Sequence, residues 1–327
     1  MSLISYIDAV ALALHEEMGR DSKVFVLGED VGVREGVFRA TKGLLESFGE
    51  ARVIDAPLSE SAIVGVAVGA AAYGMRPVAE IQFADFILPA INQIVNEAAK
   101  MRYRSNNDWH CPLVVRTPYG GGVHGALYHS QSIEAMFANV PGLKIVAPST
   151  PYDVKGLLKA SIRDDDPVLF LEHKRCYRSI KGEVPDDDYV VPIGKAEVKR
   201  QGEDVTVITY GYMLHLTLQA ADELAKEGIS THVLDLRTLY PLDKQAIIEA
   251  AAHTGKVIII HEDNKEGGLG GEVAAIIAEE CLFQLDAPII RLCGPDIPAM
   301  GYSPPLERFF LLDLSQITQA IRNLAEY

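Results

Sequence analysis

Short apolar runs alternate with longer segments of helical periodicity along most of the chain, the pattern of a parallel α/β architecture. Residues 24–27 read as a strand ending in Gly28-Glu29-Asp30, and 53–55 as another, followed by a helix over about 60–73. A strand at 78–83 leads into a predicted helix over about 86–103, with Pro89 tolerable in its first turn. Residues 113–116 form a strand running into the loop Gly120-Gly121-Gly122; a strand at 143–147, a helix at 152–162 and a strand at 168–172 complete a first unit. The stretch 181–192 then breaks the rhythm with Gly182, Pro185, Pro192 and the acidic run Asp186-Asp187-Asp188, as a linker does. A second alternation follows, with strands at 205–210, 231–236, 257–261 and 289–292 and helices at 214–226, 244–252, 271–281 and 315–325. The fold class is therefore α/β, as two parallel-sheet domains: 1–185, a linker 186–200, and 201–327.

Composition narrows the function classes. A net charge of −15 argues against a general nucleic-acid binder and leaves either a solubilising surface or a basic protein partner. Four cysteines without Cys-x-x-Cys spacing exclude a zinc ribbon and a disulfide framework, and point to a reducing compartment, the cytoplasm. The most apolar segment, 61–74, is too short to span a bilayer, and the N-terminus lacks the features of a signal peptide.

The candidate chemistry lies in two pieces. In Ala56-Pro57-Leu58-Ser59-Glu60-Ser61, Ser59 can cap a helix whose positive end favours Glu60. The run that follows is apolar on every side, which predicts a buried helix and a desolvated Glu60 carboxyl able to share a proton with a ring nitrogen. Gln82, Phe83, Asp85 and Phe86 fall at a strand's C-terminal end, where parallel sheets bind ligands, and Phe86 can stack on a flat heterocycle or simply fill the core. The second piece, His124-Gly125-Ala126-Leu127-Tyr128-His129-Ser130-Gln131-Ser132, offers acid–base chemistry. A metal at the His124/His129 pair lacks a third ligand nearby. There is no P-loop, and Val273 spoils a dinucleotide spacing in Gly268-Leu269-Gly270-Gly271.

Together with Leu27 through Gly32 and Glu80 through Phe86, these two pieces resemble the β subunits of the thiamin-diphosphate-dependent 2-oxo acid dehydrogenases, the branched-chain forms more than the pyruvate forms. The resemblance runs over nearly the whole chain and implies a pyrimidine-binding domain followed by a transketolase C-terminal-like domain. It implies that Glu60 contacts the pyrimidine nitrogen of thiamin diphosphate, that Phe86 packs on that ring with Gln82 close by, and that His129 faces the thiazolium and substrate. The chain lacks the Gly-Asp-Gly and Asn-Asn motif that holds diphosphate and Mg2+, so those fall to an α subunit in an α2β2 tetramer that works with a dihydrolipoyl acyltransferase core and its lipoyl domain. The loop 161–167 matches a structural potassium site of relatives, with Ser161, Asp164 and Asp166 as candidate ligands, although a plain acidic turn reads equally well. Pyruvate and acetoin dehydrogenases, a self-contained transketolase-like enzyme and a non-catalytic interaction subunit remain the alternatives.

Overall fold

The computed structural model describes all 327 residues. They divide into two compact units, Met1–Tyr119 with Met136–Ile193, and Gly120–Ala135 with Gly194–Tyr327. The segment containing His129 thus groups with the second unit.

The first unit opens with β1 (Ser2–Ser5), which pairs antiparallel with β8 (Lys181–Val184) at the start of the Pro- and Asp-rich stretch. Its main sheet contains β2 (Val24–Gly28), β3 (Val53–Asp55), β4 (Arg76–Glu80), β5 (Val114–Tyr119), β6 (Lys144–Val146) and β7 (Val168–His173). The strands are all parallel, in the order β6-β7-β5-β4-β2-β3. Strands β2, β5 and β7 are buried along their whole length, as expected of a sheet covered on both faces. Within it, Arg116 is 1% exposed and lies between Glu80 and Glu172; its Nε and Nη2 donate to Glu172 at 2.7 and 2.6 Å, and Nη1 pairs with Glu80. Burial opposes the Arg116 charge, but Glu172 and Glu80 hold the guanidinium more firmly protonated than usual. Burial pushes the Glu80 carboxyl up despite Arg116.

Two local expectations are corrected. The helix Glu60–Ala72 buries Ile63, Val64, Ala67, Val68 and Ala71, but Ala62, Val66 and Gly69 are exposed, so only one face is covered within the chain. Its composition is apolar all round because of that second, uncovered face. Ser59 stands at the N-cap with φ −169° and makes no side-chain cap hydrogen bond. The single helix expected over 86–103 is broken into 3-10 turns at Ala84–Phe86 and Leu88–Ala90, a π-helix at Gln93–Ala98 and an α turn at Met101–Arg104. Pro89 sits at the first turn of the second 3-10 segment, where its missing N–H costs nothing.

The second unit's sheet holds β9 (Glu197–Arg200), β10 (Val205–Thr209), β11 (Thr231–Asp235), β13 (Val257–Asn264) and β14 (Ile290–Gly294), while β12 (Thr238–Tyr240) follows β11. Their order is β14-β13-β10-β11-β9, parallel except for the antiparallel edge strand β9. Strand β9 lies within the stretch read as a linker. The glycines at 267–271 carry the chain from β13 into the helix Gly270–Cys281, and Gly270 N donates to His261 Nε2 at 3.2 Å. The last helix, Leu314–Ala325, starts with a capping box between Asp313 and Gln316. No helix is long and apolar enough to cross a membrane.

Candidate active-site residues in each unit

In the first unit the C-terminal ends of β2 and β4 deliver the turn 29–32 and residues 82–86, and Glu60 begins the helix that follows β3. Gln82 Nε2 donates to Glu29 O at 3.4 Å and to Asp30 Oδ2 at 3.3 Å, fastening the two turns together. Burial pushes the Glu29 carboxyl above its ordinary value, and the charges of Glu60 and Asp30 add to the effect. Glu29 and Glu60 thus share one electrostatic neighbourhood, with Glu60 half-buried. Glu29, not among the residues expected from the sequence, stands directly after the buried strand β2, where ligands gather in parallel sheets.

Phe86 meets Phe83 edge-on with ring centroids 5.7 Å apart, Phe83 meets Phe38 at 5.5 Å, and Lys174 Nζ lies 5.8 Å from the Phe83 ring centre. Phe86 is only half-buried, at the end of a row of rings rather than wholly within the core. Glu60, Gln82 and Phe86 therefore gather at one edge of the first unit's sheet. A carboxyl beside a partly exposed ring is a donor set that fits an aminopyrimidine: an acid for a ring nitrogen and a flat face for stacking.

His129 belongs to the second unit. Its loop is closed by Gly120 N donating to Gln131 O at 3.0 Å and by Gln131 Nε2 donating to Leu127 O at 3.1 Å. Gly121 N donates to Glu262 Oε1 at 2.5 Å. His124 donates to Glu307 through its backbone N–H at 3.0 Å and pairs through Nδ1 at 2.6 Å. That carboxylate engages Nδ1 of the first histidine of the pair. Beside the loop lies a cavity of about 400 Å3 whose lining includes Ser130, Gln131, Ser132, Asn264, Asp296 and Met300. Beneath it, burial pushes Glu134 up to about 8, helped by Asp263 and Glu262, while Tyr210 Oη donates to Glu134 at 2.8 Å. Burial likewise raises Asp263 to about 6.

Ser161, Asp164 and Asp166 do not form the expected cation site. Both Asp164 oxygens accept from Lys144 Nζ at 2.7 Å, Arg102 Nε donates to Asp166 Oδ1 at 2.5 Å, and Ser161 Oγ donates back to Leu157 O. Arg76 Nη1 takes the carbonyls of Ile162 and Asp164 at 3.0 and 2.9 Å. Three side-chain cations already match this loop, so its residues do not fit a potassium ion. No group of three or more His, Cys, Asp or Glu side chains is placed to hold a metal.

Comparison with known proteins supplies the family. Residues 2–179 match the transketolase pyrimidine binding domain, and 194–317 the transketolase C-terminal domain. The chain is 70% identical over 327 residues to the 2-oxoisovalerate dehydrogenase subunit beta of Bacillus subtilis (strain 168), covering 100% of both chains. It is 49% identical over 296 residues to the pyruvate dehydrogenase E1 component subunit beta of the same organism, covering 90% of this chain and 91% of that one. Among solved structures, a split gene transketolase described as an inactive beta4 tetramer superposes with a TM-score of 0.79 at 26% identity, covering 99% of this chain and 98% of the other. The chain belongs to the β subunits of the thiamin-diphosphate-dependent 2-oxo acid dehydrogenases.

Proposed function

We propose that the chain is the β subunit of a branched-chain 2-oxo acid dehydrogenase, working with an α subunit in an α2β2 tetramer in the cytoplasm. The 70% identity over full length to a 2-oxoisovalerate dehydrogenase subunit, against 49% to a pyruvate dehydrogenase subunit, carries the choice of substrate class. The four cysteines, none of them in a disulfide, accord with a reducing compartment.

When bound, thiamin diphosphate supplies the electron sink that decarboxylation of a 2-oxo acid requires. Glu60 would hold a proton at the pyrimidine nitrogen, with the Glu29 carboxyl, its pKa raised by burial and by the Glu60 charge, in the same neighbourhood. Phe86 offers the ring a flat face; lacking a hydroxyl, it acts by stacking alone. Gln82 fixes the turn that carries Glu29. His129 donates a proton as the acyl group passes to a lipoyl group of the dihydrolipoyl acyltransferase. The diphosphate and its Mg2+ fall to the α subunit, because this chain has no motif for them.

Co-expression with the α partner, followed by decarboxylation assays on 3-methyl-2-oxobutanoate and pyruvate, tests the reading. Preference for the branched acid is the expected result. Preference for pyruvate moves the substrate, and a folded tetramer inert on both points to an acetoin enzyme or an interaction subunit.

A further inference from the structure

The loop that carries His129 holds two non-glycine residues in the left-handed region, His124 at φ +57° and Ala126 at φ +55°. L-residues adopt that conformation rarely, and it persists where the surrounding structure holds it. The enforcing group here is Glu307, on the short helix Pro304–Phe310, with its side chain 5% exposed. One carboxylate oxygen accepts from His124 N at 3.0 Å and the other meets Nδ1 at 2.6 Å, so both oxygens are spent on one residue. The next residue, Gly125, is packed so closely that a Cβ there would lie 2.7 Å from His129 Cβ and 2.7 Å from His129 O. Any rotation of the His124 backbone is therefore passed on to His129.

We propose that Glu307 is a positioning residue for His129, clamping His124 through ring and backbone so that the left-handed turn sets where the His129 imidazole stands. This rests on the role proposed above for His129. A buried carboxylate thus spends both its oxygens on an exposed histidine, at the ring and at the backbone.

The test uses the tetramer assembled with the α subunit and compares Glu307→Ala, Glu307→Gln, His129→Ala and the double variant Glu307→Ala/His129→Ala. Single-turnover acyl transfer to a lipoyl domain is read alongside amide hydrogen exchange over residues 121–131. Glu307→Ala should slow transfer by about tenfold to a hundredfold, the scale of a small misplacement of a reacting group. Glu307→Gln, which keeps an acceptor for the His124 amide and also serves if the alanine variant fails to fold, should recover part of that loss. The double variant should be no slower than His129→Ala, because groups acting through one another are not additive. Multiplying effects, or wild-type transfer in Glu307→Ala while His129→Ala is impaired, would overturn the proposal. Wild-type transfer in His129→Ala would instead remove the role given to His129. The exchange data then decide the clamp by themselves: faster exchange over 121–131 in Glu307→Ala sustains it, and unchanged exchange defeats it.

Discussion

Arg116 is a charge that the first unit can hold only while both its carboxylate partners remain. Replacing it with leucine leaves Glu80 and Glu172 buried without a cation, and breaking such a group typically costs about 3–5 kcal/mol. Chemical denaturation of Arg116→Leu should show a loss of that size, and a loss under about 1 kcal/mol would show that the carboxyls simply take up protons. Glu134 makes a prediction about pH. It keeps its proton up to about 8 in the folded protein against an ordinary value of 4.5. Between those limits the folded state binds more protons than the unfolded state, so stability falls as pH rises across the window. Glu134→Gln should flatten that slope, raising the melting temperature at pH 8 relative to the parent protein more than at pH 6; parallel curves would refute the assignment. At Glu60 the expected effect is on chemistry: Glu60→Gln should lower decarboxylation by the tetramer at least about a hundredfold. Turnover near that of the parent would remove Glu60 from catalysis.

At the scale of elements, the loop from Gly120 to Gln131 turns on glycine. Gly125→Ala forces a methyl group against the His129 backbone, and acyl transfer should fall about tenfold with little change in KM for the 2-oxo acid. Unaltered kinetics would mean that the loop absorbs the methyl group without moving His129. Much of this architecture is legible in the sequence, because strands such as 24–28 and 168–173 open on unbroken apolar runs, 24–27 and 168–171, that need no partner chain to explain them. The residues 93–98 defeat the same reasoning: a π-helix has the composition of an α-helix and differs only in which carbonyl each N–H meets. The helix from Glu60 misleads in another way, since hydrophobicity reports that a face avoids water but not whether its own chain covers it. Glu60, Gln82, Phe86 and His129 stand out by type and by position at strand ends and in glycine loops. Glu29 also stands at a strand end, but only its neighbours Gln82 and Glu60, distant in sequence, single it out, and Glu307 has no positional signal at all.

For the whole molecule, the uncovered face of the Glu60–Ala72 helix carries Val66 at 59% exposure and is continued by Tyr73 at 92%. Apolar surface of this kind is suited to a partner subunit. Val66→Lys should leave the isolated chain folded but prevent assembly with the α subunit, as read from molar mass by light scattering. A tetramer that forms normally would place the contact elsewhere. The distribution of the second unit along the chain also bears on its synthesis. Its Gly120–Ala135 segment leaves the ribosome well before the rest, and Glu307 follows His124 by 183 residues. At translation rates of about 5–20 residues per second, the His129 loop spends on the order of ten to forty seconds without the carboxylate that clamps it. The nascent chain therefore carries this loop without its carboxylate partner almost to the end of synthesis, and the segment is complete only when the last helices emerge.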